Sequence, residues 1–199
     1  MMPSEKEKML RGELYDASDA QLVGERKRAR TLCQRLNTLT PDASPDEKQA
    51  LFASLFGVDT DVYVTPPFFC DYGTNIALGA KVYFNFNCVV LDVARVSIGS
   101  NTLIGPAVQI YTALHPLSAL ERRAGLENAR EVTIGEDVWI GGGAVICPGV
   151  TIGAGVVIGA GSVVTRSIPA NTLAAGNPCR VIRQLDAASD RGPPPQELE

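Results

Sequence analysis

From Val62 onward, short aliphatic runs alternate with glycine-rich steps, and apolar positions recur every six residues. Ile134, Ile140, Ile146, Ile152, Ile158 and Val164 form one series; Val132, Val138, Ala144, Val150, Val156 and Ser162 form a second, two positions earlier. The same pair of series appears upstream as Ile98, Ile104, Ile110 with Val96, Thr102, Val108. It appears again, shifted by two residues, as Leu78, Phe84, Val90 with Ile76, Val82, Cys88. Side chains two apart on a strand share a face, so each pair predicts a short strand turned inward. Asn101, Asp137, Gly143, Gly149, Gly155 and Gly161 fall between pairs, and these residue types tolerate the positive φ of a tight corner. Three six-residue steps close one triangular coil, and stacked coils share one continuous core. A parallel α/β sheet does not fit, because no stretch between strands is long enough for a crossover helix. The predicted fold is mainly β, a parallel β-helix of hexapeptide repeats over residues 59–185.

Residues 1–58 predict a helical subdomain instead. Ser18-Asp19-Ala20-Gln21 fits a capping box with Ser18 as the cap, and Leu22, Ala29, Leu32, Cys33 and Leu36 follow at helical spacing. Ser44-Pro45-Asp46-Glu47 places proline at the first helical position, and Leu51, Phe52, Leu55 and Phe56 lead to a stop at Gly57. A further short helix is expected over Glu5 to Leu10. Residues 186–199, with three consecutive prolines, predict a disordered tail.

The repeat breaks once, between Ile110 and Ile134. The excursion over residues 111–131 carries Thr112, His115, Pro116, Glu121, Arg122, Arg123 and Glu127, too polar for a coil interior. A long loop leaving a rigid scaffold is where function concentrates. His115 is the only histidine, and an imidazole titrates near neutrality, which suits it to proton transfer. The bland alternative is a surface histidine without a role.

Charge narrows the partners. The net charge is -4 and the sequence pI about 5.1, so no basic surface of the kind nucleic acid needs is expected. The run Glu25 to Arg30 reads as the solvated face of a helix. Glu5, Lys6, Glu7 and Lys8 interrupt the start of the chain, leaving no apolar stretch for a signal or a membrane span, so cytoplasm is the expectation. Cys33, Cys70, Cys88, Cys147 and Cys179 lie far apart with no C-x-x-C pair. They read as reduced core residues rather than metal ligands.

Several segments carry a family resemblance: Gly12-Glu13-Leu14-Tyr15, Cys70-Asp71-Tyr72-Gly73, Asn85-Phe86-Asn87, Ile110-Tyr111-Thr112-Ala113-Leu114-His115-Pro116, Val138-Trp139-Ile140-Gly141-Gly142 and Asn177-Pro178-Cys179-Arg180. With the repeats between them, the chain resembles the maltose and galactoside O-acetyltransferases, a branch of the hexapeptide-repeat acyltransferases, and is most similar to the maltose enzymes. The resemblance implies a left-handed coil, a homotrimer with active sites between subunits, acetyl-CoA along the outside of adjacent prisms, a sugar at their junction and no metal. It implies His115 as catalytic base and Asp16, Asp71, Tyr83, Asn85 and Glu127 around the acceptor. Asp16 aligns ambiguously with Asp19, and Glu127 either orients the His115 ring or pairs with Arg123. Asp71 and Asn85 are alternatively corner residues that stabilise local turns.

For acetyl-CoA the resemblance implies Trp139, Gly142, Ala160, Thr165, Arg166, Arg180 and Arg183, with the arginines suited to phosphates. Trp139 would flank the pantetheine arm or pack against a neighbouring subunit. Gly142 stands where the galactoside enzymes carry serine, so a backbone N–H is left for the oxyanion. Their second acidic acceptor contact falls near Asp92-Val93, where this sequence departs, and that favours maltose or glucose over galactosides. The γ-type carbonic anhydrases share the prism but need three histidines around zinc, which one histidine excludes. An antibiotic, a lipo-oligosaccharide or an amino-acid hydroxyl stays open as acceptor. A non-enzymatic β-helix binding protein would have no use for the polar excursion or its His-Pro element.

Overall fold

A computed structural model describes residues 2–40 and 42–186. The predicted tail lies outside the described residues, apart from Asp186. The repeats form a three-sided solenoid of parallel sheets, and every two-apart pair points inward as its spacing predicts. Ile134, Ile140, Ile146, Ile152, Ile158 and Val164 are buried, and so are their partners two positions earlier. Transfer free energies put each such aliphatic side chain at about 1.5–3 kcal/mol. Thr102 and Ser162 occupy inward positions without penalty, because their hydroxyls donate to the corner carbonyls of Gly135 and Gly159.

One face has four strands, Ile76–Leu78, Val96–Ile98, Val132–Ile134 and Thr151–Ile152. A second has five: Phe68–Cys70, Cys88–Leu91, Gln109–Tyr111, Val145–Ile146 and Val163–Val164. The third has seven: Tyr63–Val64, Tyr83–Phe84, Leu103–Ile104, Trp139–Ile140, Val157–Ile158, Thr172–Ala175 and, turning back antiparallel, Arg180–Gln184. All six corner residues singled out by sequence have positive φ, between 54° and 81°. Lys81, Asn87, Ala107 and Asn171 do too, and of these Lys81 and Ala107 carry no side-chain signal for that conformation.

Four helices complete the described residues: α1 (Glu5–Leu10), α2 (Ala20–Asn37), α3 (Pro45–Phe56) and α4 (Ala119–Arg123). The capping box expected at Ser18 does not form. Asp19 caps α2, its carboxylate accepting from the N–H groups of Gln21 and Leu22, while the Ser18 hydroxyl and N–H both donate to Asp16. An ionised acceptor outcompetes a hydroxyl for the orphan donors at a helix start. The capping box appears instead at α1, between Ser4 and Glu7. Ser44 caps α3 with Pro45 behind it, and Gly57 ends that helix at φ 77°.

Helices α2 and α3 close the open end of the solenoid. Phe56 of α3 packs edge-on against Phe68 at 6.2 Å, and Phe68 likewise against Phe84 at 5.2 Å, carrying the coil core into the helical layer. Asn37, at the end of α2, clamps the backbone of Phe68 through both its amide groups. Residues 1–58 are not wholly helical: strand Tyr15–Asp16 joins a small antiparallel sheet with Leu126–Ala129 and Ala113–Leu114 of the excursion.

Candidate active site

Coil length varies in a way that builds one edge of the prism. Trp139 pairs with Val157, an 18-residue coil, but Tyr63 pairs with Tyr83 and Tyr83 with Leu103, two 20-residue coils. The extra residues fall at Asp71 to Asn75 and at Asp92 to Arg95, both between the five-stranded and four-stranded faces. The long excursion leaves from that same edge, between Gln109–Tyr111 and Val132–Ile134. Three consecutive coils therefore place their enlarged corners one above another. This is the physical reason for the two-residue shift of the upstream repeats.

Within the excursion, Ala113–Leu114 pairs antiparallel with Leu126–Ala129, with α4 at the far end. Gly12 adopts φ 70°, and a Cβ there would stand 2.7 Å from the Ala129 carbonyl oxygen, so the start of the chain lies hard against this hairpin. The Tyr15 hydroxyl donates to Glu127 Oε2 at 2.7 Å, and burial, with that bond adding to it, pushes the Tyr15 hydroxyl pKa up. Among the described residues the hydrogen bond to Glu127 comes from Tyr15 and not from Arg123 or His115, the two partners expected for it. His115 follows strand Ala113–Leu114 and is exposed, and no hydrogen bond from the described residues reaches its ring.

Asp71 stands on the uppermost of the three corners. Burial raises its carboxyl pKa, Glu127 adds to the rise, and Arg26 and Arg30 oppose it. Arg26 belongs to the run expected on a solvated helix face, yet it is half-buried. It donates to the Tyr72 hydroxyl at 2.7 Å and to the Ala17 carbonyl, and lies 5.8 Å over the Tyr72 ring. The signal was present in the sequence: Arg26 is four residues after Leu22 and three before Ala29, on the face those residues bury. Asp92 is fully buried and accepts hydrogen bonds from the backbone of the Asp71 corner. Burial pushes its pKa up to about 7. Asp16 sits on the strand beside Glu127, its carboxylate accepting from Ser18; the carboxylate of Asp19 is engaged in capping α2.

The other expected acceptor residues lie elsewhere. Tyr83 is on the seven-stranded face, its ring stacked 6.0 Å from Tyr63 and its hydroxyl 3.2 Å from Thr65 Oγ1. Asn85 follows at the corner between the seven- and five-stranded faces, where its Oδ1 accepts from Phe86 N–H. Gly142 and Ala160 stack farther along this second edge, in a run of bare corners that comprises Gly141 to Gly143 and Gly159 to Gly161. Neither Gly142 nor Ala160 donates its N–H to an acceptor in the ladder, whereas Gly143 and Gly161 donate to the coil before, to Pro106 and Gly142. Corner turns elsewhere, at Glu136 and Ala154, also leave this N–H free. At Gly141 to Gly143 no side chain stands between a ligand and the backbone.

Trp139 is 56% exposed on the seven-stranded face, and the antiparallel strand Arg180–Gln184 brings Arg180 and Arg183 to that face. Thr165 and Arg166 occupy the excursion edge, past strand Val163–Val164. One chain therefore gathers Asp16, Asp71, Glu127 and His115 on one edge with Thr165 and Arg166 farther along it. It carries Asn85, Gly142 and Ala160 on another edge, with Tyr83, Trp139, Arg180 and Arg183 on the face that leads to it. No group of three or more metal-ligating side chains occurs among the described residues, and no described helix is long and apolar enough to cross a membrane.

Known proteins share this fold and much of this sequence. Residues 8–58 fit the maltose acetyltransferase hexapeptide capping motif, and residues 131–166 the bacterial transferase hexapeptide of six repeats. A putative acetyltransferase of Saccharomyces cerevisiae is 51% identical over 181 residues, 90% of this chain and 92% of that protein. Nodulation protein L of Rhizobium meliloti is 50% identical over 116 residues, 58% of this chain, and the match spans 63% of that protein's length. The crystal structure of a maltose O-acetyltransferase from Clostridium difficile 630 superposes with a TM-score of 0.90 at 46% identity, over 92% of this chain and 98% of that one. A galactoside acetyltransferase in complex with coenzyme A gives a TM-score of 0.90 at 38% identity, over the whole of both chains.

Proposed function

This chain belongs to the maltose and galactoside O-acetyltransferase family of hexapeptide-repeat acyltransferases, and we propose that it transfers the acetyl group of acetyl-CoA to a hydroxyl of a sugar of the maltose, glucose or galactoside type, in the cytoplasm. The observation that carries this reading is the stack of three enlarged corners, which sets carboxylates and one exposed imidazole along a single edge. Coenzyme A bound to a galactoside acetyltransferase of the same fold supports the donor.

His115 Nε2 or Nδ1 accepts the proton of the sugar hydroxyl as its oxygen attacks the thioester carbonyl. The backbone N–H of Gly142, free of the ladder, receives the developing oxyanion. Collapse expels the CoA thiolate, which takes from His115 the proton that the sugar hydroxyl gave up. Asp71, Asn85 and Tyr83 offer the mixed donors and acceptors that sugar hydroxyls need, with Asp16 and Glu127 at the rim. Trp139, Ala160, Thr165, Arg166, Arg180 and Arg183 serve acetyl-CoA, the arginines at its phosphates.

Each set is divided between the two edges of a single chain, and the base His115 and the oxyanion donor Gly142 stand on different ones, so the reaction requires one copy's excursion against another's glycine edge, in a homotrimer. The outward residues support this assembly: Tyr63, Tyr83, Leu103, Trp139, Val157 and Leu173 form an apolar row on the seven-stranded face, whereas Ser97, Thr133 and Thr151 face out from the four-stranded one.

Thiol release from acetyl-CoA with glucose, maltose and a galactoside as acceptors tests the reading. Wild-type turnover is expected, with His115→Ala losing about 100-fold or more in kcat. Undiminished turnover in that variant removes His115 from the mechanism. Turnover only with a non-sugar hydroxyl keeps the transfer and discards the acceptor.

A further inference from the structure

The corner Leu91 to Arg95 contributes no side chain to the substrates in the mechanism above, yet it is bonded to both elements that do. On one side, Asp92 Oδ1 accepts from the N–H groups of Asp71 at 3.0 Å and Tyr72 at 2.9 Å, and Asn75 Nδ2 donates to the Asp92 carbonyl at 2.7 Å. On the other side, the Thr112 hydroxyl donates to the Leu91 carbonyl at 2.7 Å and accepts from Ala94 N–H at 2.9 Å. The Thr112 carbonyl in turn accepts from Arg130 N–H at 2.9 Å, so both roots of the excursion are pinned to the same corner. Asp92 and Thr112 are both fully buried. Asp92 Oδ2 has no hydrogen-bond partner among the described residues.

A buried carboxylate with one unpartnered oxygen costs stability, and a core that needed only to be filled would be served by an apolar residue. What this side chain supplies is one acceptor shared by two consecutive backbone donors, which fixes the path of the chain through Asp71. We propose that Asp92 is a positioning residue. With Thr112 it sets the placement of the Asp71 carboxylate relative to His115, and so governs binding of the acceptor sugar rather than of acetyl-CoA. It acts through Asp71 and touches neither substrate. This rests on the proposed sugar transfer, with Asp71 at the acceptor.

The test compares acceptor and acetyl-CoA kinetics of the full-length enzyme with Asp92→Asn and Asp92→Ala. Asparagine retains a carbonyl oxygen where Oδ1 accepts, and alanine removes it. Misplacement by about 1 Å can cost about 100-fold, so Asp92→Ala is expected to lose about 10- to 100-fold in kcat/KM for the acceptor with the KM for acetyl-CoA unchanged. Asp92→Asn is expected to return to within about threefold of wild type. An unchanged acceptor kcat/KM in Asp92→Ala, a matching rise in the acetyl-CoA KM, or a failure of asparagine to restore the acceptor KM each overturns the proposal.

If Asp92→Ala does not fold, Thr112→Val against Thr112→Ser asks the same question from the other side of the corner. Valine should lower kcat/KM for the acceptor with the acetyl-CoA KM unchanged, and serine should restore it; equal behaviour of the two overturns the proposal. Wild type that turns over no sugar would instead sink the sugar reading, which separates the two failures.

Discussion

The charge of Asp92 makes a prediction separable from its hydrogen bonds. Its carboxyl pKa is pushed from an ordinary 3.8 to about 7, chiefly by burial. A raised native pKa means that the folded state holds the proton more tightly than the unfolded chain does. The associated stability is fully present below about pH 4, is lost as pH rises toward 7, and stays lost above it. At about 1.4 kcal/mol per unit, the loss is about 1–2 kcal/mol at pH 5 and about 4 kcal/mol at pH 8. Asp92→Asn removes the titration and keeps an oxygen for the Asp71 and Tyr72 N–H groups. Whatever the new amide NH2 costs enters equally at both pH values. The gain of the variant over wild type should therefore be about 2–3 kcal/mol larger at pH 8 than at pH 5. Urea unfolding of both proteins at the two pH values and one fixed protein concentration measures this. A pH-independent offset would refute the reasoning, because it would mean that Asp92 titrates alike in the folded and unfolded states.

Two further outcomes follow from the same edge. Arg26→Met removes the strongest influence holding the Asp71 pKa down. The acidic limb of the pH profile of acceptor kcat/KM should then move to higher pH, with the acetyl-CoA KM unaltered; a profile that coincides with wild type would separate Arg26 from Asp71. Gly12→Ala meets both a positive φ of 70° and a 2.7 Å approach to the Ala129 carbonyl. It should destabilise the protein by about 1–3 kcal/mol, visible as a lower Tm, and it should loosen the strand that brings Tyr15 to Glu127; an unchanged Tm would show that the start of the chain is not held against the excursion.

The scaffold was legible because its signal is repeated: six-residue spacing, inward pairs and corner residues all point to the same coil, and each error at one position is outvoted by the others. Single, unrepeated events were harder to read. The Ser18 capping box failed because a carboxylate one residue later competes for the same donors, a contest the pattern alone does not decide. Arg26 was hidden in a run of charge, although its spacing from Leu22 and Ala29 disclosed its face. Asp92 carries no pattern signal of its own, because what it bonds to are backbone donors 20 and 21 residues earlier in the chain. The two-residue shift of the upstream series was visible without its meaning, which is the enlargement of corners on the edge where the excursion also leaves.

The division of candidate residues between two edges follows from the fold itself. In a solenoid, strands spend their backbone groups on the ladder and half their side chains on the core, so recognition is left to corners and outward rows. Each face is about six residues wide, or about 20 Å at the usual rise along a strand. That distance exceeds the span of a single hexose, and Asn85 and Gly142 stand on a different edge from the one the His115 excursion leaves. If His115 and Gly142 serve one transfer, two copies must supply them, and dilution below the assembly range should abolish acetyl transfer while each solenoid stays folded. Activity that persists in a monomer would require both substrates to bind on one edge, and would return Tyr83, Asn85 and the glycine edge to purely structural roles.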